Sequence, residues 1–215
     1  MDDPTRSPRA GAGRPTKEQA QARHCELLDS ALDHFLEKGF EAATIEAIAQ
    51  SVSMTKRTVY ALYPDKVSLF RAAVRRAIDR LAIPNARLEA AVSGDLALTL
   101  ETIARLRVER VTTPDGLKLQ RIVNSESYRF PDIFTTAYEL GALPVIHFLA
   151  DLLAQETKAG RLDVAEPHLA AIVFMSMVVS GPVRILVSGN SLSPEAIDRR
   201  IRFAVRLFLD GARPR

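Results

Sequence analysis

The sequence predicts an all-α chain, with a small N-terminal unit of short helices followed by a larger helical bundle. Three observations carry this. Apolar residues recur at helical spacing through most of the 215 residues. Clusters of Gly, Pro and Ser cut that pattern into lengths that suit helices. Alternating strand patterns and a self-similar period are both missing from the sequence.

Composition sets the class. A hydrophobic content of 47% with 26% charged residues is globular, and the length suits one domain or a small domain joined to a larger one. Cys25 is the single cysteine and cannot close an internal disulfide, and the chain opens without a leader pattern, so a cytoplasmic location is expected. The longest apolar run, Leu169 to Val179, is shorter than the roughly 20 residues a membrane crossing needs, so no membrane partner is expected. Charge is uneven. Residues 1–87 carry 14 Lys/Arg against 11 Asp/Glu, whereas residues 88–215 carry 15 of each. Between Met54 and Arg87 there are eight basic residues against Asp65 and Asp79, a local field that attracts polyanions.

The elements follow in order. The Pro/Gly/Ala-rich opening reads as a basic arm over 1–15. A helix starts near Thr16 with the stripe Leu27, Leu28, Ala31, Leu32 and Phe35, and Gly39 ends it. Thr44 caps the next helix, with Glu46 in its first turn and Ile45, Ile48, Ala49 and Val52 on one face. The pattern breaks at "SVSM". Thr55 then caps a second short helix that should carry Val59 and Leu62 inward. Pro64 closes it, and Asp65 begins a connecting helix striped by Val67, Phe70, Val74, Ala77, Ile78 and Leu81. Beyond Pro84, helices are predicted near 95–111, 115–127, 131–140, 143–159, 166–187 and 194–210, with a bend at Gly181-Pro182. The division is thus 16–64, a connector over 65–83, and a bundle over 84–215.

Two short helices joined by a four-residue break, the second opening Thr-Lys-Arg, fit a helix-turn-helix. A B-form major groove admits one helix, whose inner face must anchor on a core while its outer face offers donors. With Val59 and Leu62 inside, Lys56, Arg57 and Tyr60 turn outward. The plain alternative is a helical hairpin with a solvated basic face. The stretch "TIEAIAQSVSMTKRTVYALYPDKVSLF" resembles the helix-turn-helix of the TetR/AcrR regulators through Thr44, Ile48, Ala49, Thr55, Lys56, Thr58, Tyr60, Tyr63 and Lys66. The resemblance spans about residues 17–81. It implies phosphate contacts from Thr44, Tyr60, Tyr63 and Lys66, and places Thr55, Lys56, Arg57 and Thr58 nearest the bases. Two departures stand out. Val52-Ser53 replaces Ala-Gly in the turn, putting a left-handed conformation on a non-glycine residue at about 1 kcal/mol. Arg57 replaces a commonly small residue and could pair with guanine, worth about 1–3 kcal/mol of discrimination. Arg14, in "GRPTK", sits where an arm could enter an adjacent minor groove, or it is simply a solvated tail residue.

In the bundle, "LQRIVNSESYRFPDIFTTAYELG" resembles the C-terminal domain of AefR-like members, in which a Glu-x-x-Arg-Phe-Pro step joins two helices. An apolar pocket would draw its lining from Leu119, Ile122, Tyr128, Phe130, Phe134, Tyr138, Phe148, Phe174, Met175 and Met177, most of them equally at home in plain core. Arg121, Glu126 and Tyr138 are the polar candidates for orienting a ligand. The stripes Ile172, Met175, Val179 and Ile197, Ile201, Val205, Phe208 would form the antiparallel four-helix dimer interface the resemblance implies. Together these features predict a homodimeric repressor on palindromic double-stranded DNA, released by a small apolar or aromatic effector. An enzyme is disfavoured. The residues three before His24, His34, His147 and His168 are Gln21, Ala31, Pro144 and Ala165, so the Glu-x-x-His pairs of a metal-carboxylate bundle are missing, and no nucleophile motif or cofactor site appears. A helical protein that binds a ligand or another protein, without DNA, remains the competing class.

Overall fold

A computed structural model describes residues 16–214 of the chain. Thr16 opens α1 (Lys17–Ala42) with a reciprocal cap: its hydroxyl accepts from the Gln19 amide at 3.2 Å, and the Gln19 side chain accepts from the Thr16 amide at 3.0 Å. The helix breaks at Gly39, as predicted, but with φ +74° and ψ 166° the glycine is extended in the mirror region, a conformation only glycine adopts without penalty. Three short elements follow: α2 (Ile45–Ser51), α3 (Lys56–Leu62) and the longer α4 (Lys66–Leu81). Thr44, Thr55 and Asp65 cap them, each accepting from the backbone amide three residues on.

The second half comprises α5 (Asn85–Glu89), α6 (Leu96–Thr112), α7 (Pro114–Glu126), α8 (Pro131–Ala137), α9 (Leu143–Lys158), α10 (Pro167–Val187) and α11 (Pro194–Ala212). The five-residue α5 gives too short a pattern to be visible in sequence. α8 and α9, predicted as separate helices, are joined by a π-helical turn over Tyr138–Ala142. Pro144 has no N–H, and its ring crowds the carbonyl four residues back, so the chain widens there instead of stopping. α10 runs on through Gly181 and Pro182 to Val187. Among the described residues there are helices and turns and no strand.

Packing does not follow the predicted boundary at residue 84. One core gathers α1 to α4 together with Leu119, Ile122 and Val123 of α7, Phe130 and Ile133. Phe130, from the Arg-Phe-Pro step, lies edge-on to Phe40 at 4.8 Å and tilted against Phe70 at 5.3 Å. Ion pairs reinforce the joint: Arg76 to Asp29 at 2.9 Å, Arg80 to Asp115 at 2.9 Å, Lys118 to Asp33 at 2.7 Å and Arg71 to Asp132 at 2.7 Å. The other core is built from Ile83, Leu88, α6 and α9 to α11.

Two helical stretches, Pro131–Lys158 and α10, are long and apolar enough to cross a membrane by length and composition, with mean hydropathies of 1.3 and 2.0. Polar residues such as Asp151 in the first and Ser176 in the second interrupt the apolar pattern, so neither length is one unbroken apolar run in sequence. Their inner faces (Ile133, Val145, Ile146, Leu149, Leu153; Ala171, Phe174, Met175, Val178) are packed into the two cores.

Candidate nucleic-acid interface

α3 is held by one fully buried side chain, Val59, and by its turn. Leu62, predicted inward, is 49% exposed. A two-turn helix has room for one inward column, and the step from Val59 continues at i+4 to Tyr63, not at i+3 to Leu62. Tyr63 stacks on His24 of α1, with ring centroids 5.8 Å apart and an interplanar angle of 9°, and its hydroxyl shares a 2.6 Å hydrogen bond with His24 Nε2. Burial raises the Tyr63 pKa. The hydroxyl thus has a partner within the fold before any DNA approaches.

Lys66 is engaged within the fold as well. Its ammonium donates to the carbonyl oxygens of Glu41 at 3.0 Å and Ala43 at 3.1 Å, and it lies 4.6 Å from the centre of the Phe40 ring. It closes the end of α1, where carbonyls lack helical partners, and keeps one of its three donors free of these two bonds.

The turn carries the predicted strain. Ser53 has φ +53°, the single non-glycine residue with positive φ among those described. Arg23 of α1 donates to the Ser53 carbonyl at 3.2 Å, fixing the turn from outside. Nothing in the sequence links positions 30 apart, so Arg23 was not found.

The outward surface is formed by Thr44, Thr55, Lys56, Arg57, Thr58 and Tyr60, all exposed. The Thr44 hydroxyl accepts from the Ala47 amide at 3.2 Å. Thr55 accepts from the Thr58 amide at 3.1 Å, and the two threonine hydroxyls are 2.8 Å apart. Lys56 forms an ion pair with Glu46 of α2 and lies 5.6 Å from the centre of the Tyr60 ring. The hydrogen bond from Lys56 holds the Glu46 carboxyl below its ordinary range, and the same bond raises the Lys56 pKa. Glu46, read in sequence only as a helix-end charge, is thus a neighbour of the reading surface. Arg57 has no hydrogen-bonding or ion-pair partner among the described residues. Its five donors point to whatever approaches α3. Arg14 lies outside the described residues.

The predicted ligand residues do not converge. Ile122 is in the first core and Phe174 in the second, where it packs on Phe208 with centroids 5.1 Å apart; Phe148 is half-buried against that second core. Leu119 and Phe130 are first-core residues too, and Met175 belongs to the second. Tyr128 is 96% exposed and Phe134 58%, while Arg121, Tyr138 and Met177 are also on the surface. Glu126 contributes its backbone, whose carbonyl accepts from the Arg129 and Phe130 amides at 3.1 and 2.8 Å. The cause is the Phe130 plug, which commits the α7–α8 corner to the first core and leaves its other side to solvent.

The predicted dimer stripe is also corrected. Ile201, Val205 and Met175 are buried inside this one chain, and Ile172, Val179, Ile197 and Phe208 pack against the same core. The apolar face left open on α10 and α11 is Leu169, Val173, Met177, Phe203 and Leu207. α10 is apolar nearly all round, so its sequence offers two stripes and cannot say which one the chain keeps.

Comparisons with known proteins agree with this architecture. Residues 27–73 match the family described as bacterial regulatory proteins, tetR family, and residues 98–211 match the AefR-like transcriptional repressor C-terminal domain. The HTH-type transcriptional regulator YdeS of Bacillus subtilis is 35% identical over 114 residues; the match covers 53% of this chain and 52% of that regulator, about half its length. RutR of Escherichia coli is 23% identical over 194 residues, covering 88% of this chain and 90% of RutR. Among solved structures, a TetR-family regulator from Mesorhizobium loti superposes with a TM-score of 0.76 at 23% identity, covering 93% of this chain and all of that one. The flavonoid-responsive regulator FrrA gives 0.72 at 30% identity, covering 91% and 99%. These relatives are transcriptional regulators and not enzymes. With its helix-turn-helix and its C-terminal half both matched, the chain belongs to the TetR family of bacterial transcriptional regulators, in the branch with an AefR-like C-terminal domain.

Proposed function

We propose that the protein is a homodimeric, sequence-specific DNA-binding repressor that leaves its operator when a small effector binds the C-terminal half. The observation that carries this reading is the outer face of α3, where Arg57 stands exposed and unengaged among the described residues beside Lys56, Thr58 and Tyr60. Arg57 and Thr58 would read base edges, while Thr44 and Tyr60 would hold phosphates.

A second copy would cover the open face of α10 and α11. Two adjoining hollows of about 460 and 520 Å³ lie there and share Met177 and Leu207. Twofold pairing is also what groove geometry asks for, since two reading helices must stand about 34–36 Å apart to enter successive turns of one DNA face. The effector reading is supported by the likeness to FrrA, a flavonoid-responsive regulator, and by the ion pairs that tie α4 to α1 and α7, through which a shift of α7 would move α4 and the spacing of the reading helices. Such a repressor works on chromosomal DNA in the cytoplasm.

Selection of bound duplexes from a random pool, followed by salt titration, tests the reading. The expected result is a palindromic site with steep loss of affinity as salt rises. Arg57→Ala should relax base preference at one position per half-site by about 10- to 100-fold. Leu207→Asp should yield monomers that lose the palindrome. A chain that binds an effector but shows no salt-dependent DNA affinity would favour the competing class of ligand-binding helical protein.

A further inference from the structure

The open face of α10 and α11 is polarised in charge along its length. The two helices run antiparallel. At one end the Asp163 amide donates to the Ala212 carbonyl at 2.8 Å; towards the other, Arg200 lies against Gly181, where a Cβ would stand 2.8 Å from Nη1 of the guanidinium. The hollow of about 460 Å³ beside Leu169 is edged by Asp163 and Glu166. The hollow of about 520 Å³ beside Phe203 is edged by Arg199 and Arg200. The face thus has an acidic pole, an apolar middle and a basic pole.

All four of these charged residues are exposed, and none of their side chains has a hydrogen bond or ion pair among the described residues. Other charges on α11 are engaged within the chain: Asp198 pairs with Arg105 at 2.8 Å and with Arg202 at 2.7 Å, and Asp210 faces Arg213 at 3.5 Å. A single unpaired surface charge is ordinary. Two signs sorted to opposite ends of one apolar strip are what a self-complementary surface requires, because a twofold axis brings each end of the strip onto the other end of the second copy.

The lengths agree. On α10, with a rise of about 1.5 Å per residue, an axis between Val173 and Met177 leaves Glu166 about 13 Å to one side and Gly181, under Arg200, about 9 Å to the other. The mismatch of about 4 Å is within the reach of two long side chains. We propose that Arg199 and Arg200 of one copy pair with Asp163 and Glu166 of the second, so that charge fixes the register of the dimer and selects this chain as its own partner. Slipped or parallel pairings set like charges against each other, which is how such a surface rejects them. This rests on the homodimer reading above and adds to it the register and the residues that choose the partner.

The test uses the full chain in two reversed forms. Arg199→Glu with Arg200→Glu makes both poles acidic, and Asp163→Lys with Glu166→Lys makes both basic. In sedimentation over a dilution series, each form alone is expected to self-associate about 10- to 100-fold more weakly than the native chain at low salt, and to recover as salt rises. Mixed in equal amounts, the two are expected to form a one-to-one heterodimer at least as tight as the native dimer. The four positions are exposed, so folding should be retained, as circular dichroism checks; should a double variant unfold, Arg200→Glu mixed with Glu166→Lys carries the same test. The proposal is overturned if the reversed forms dimerise as tightly as the native chain, or if they dissociate and their mixture forms no dimer. A native dimer broken by Leu207→Asp but indifferent to reversal of the poles would leave the homodimer standing and remove the role of charge. A native chain that stays monomeric throughout would overturn both and leave the face to a different protein.

Discussion

The two cores of this protein are held by different means. The first is aromatic and tied from outside: Phe35, Phe40, Phe70 and Phe130 pack ring on ring, with centroids 4.8 to 5.8 Å apart, and ion pairs join α1, α4, α7 and α8 around them. The second is largely aliphatic, with Phe174 and Phe208 as its aromatic pair at 5.1 Å. A core braced in this way presents α3 at a fixed angle. The difference places the more heavily braced packing behind α3, with α7 and Phe130 drawn into that core.

The largest effects should come from emptying either core. Phe130→Ala and Phe174→Ala are each expected to cost about 3–5 kcal/mol in chemical denaturation, yet Phe130→Ala should weaken operator binding much more at temperatures where both variants are folded. Equal loss of DNA binding would erase the distinction between the cores. Next is the joint itself. A Cβ at Gly116 would lie 2.5 Å from the Arg110 carbonyl oxygen and 2.7 Å from that of Val111, both backbone, so the α6–α7 corner must shift. Gly116→Ala is expected to cost about 1–3 kcal/mol, seen as a lowered midpoint.

Smaller and opposite in sign, Ser53→Gly removes the left-handed penalty in the turn and should gain about 1 kcal/mol, raising the midpoint while leaving base preference unchanged. The smallest effect is acidic. Burial raises the Asp29 pKa, but the hydrogen bonds and charges of Arg76 and Arg80 outweigh it and leave the carboxyl lowered from 3.8. Asp198 is lowered chiefly by its hydrogen bond from Arg105. A lowered carboxyl contributes stability that is complete above its unfolded value and lost as pH falls through its folded one. Midpoints recorded from pH 5 down to 2 should therefore fall less steeply in Asp29→Asn and Asp198→Asn. Being half-exposed, the Asp29 tie is worth less than about 1 kcal/mol and should fade in salt.

Much of this was legible because it is local. Thr44, Thr55 and Asp65 cap their helices through bonds three residues away, and the missing glycine of the turn announced the positive φ at Ser53. The reading surface at Lys56, Arg57 and Thr58 followed from helical phase. Leu62 went astray because a seven-residue helix does not fix its inward column by periodicity alone; the contact of Tyr63 with His24 did so. The predicted ligand residues are spread over both cores and the surface, and Met175, Ile201 and Val205 of the predicted dimer stripe are interior, since an apolar residue in sequence does not say which of several apolar neighbours it will meet.

The sequence by itself determined the helices, their caps, the strained turn and the basic face of α3, since each depends on bonds or phase within about one or two turns of chain. Tertiary structure alone decided that Phe130 belongs to the DNA-binding core, and that Leu169, Val173, Met177, Phe203 and Leu207 stay outside. Those outcomes depend on which distant surfaces compete for the same contact, and that competition is settled by packing the whole chain at once.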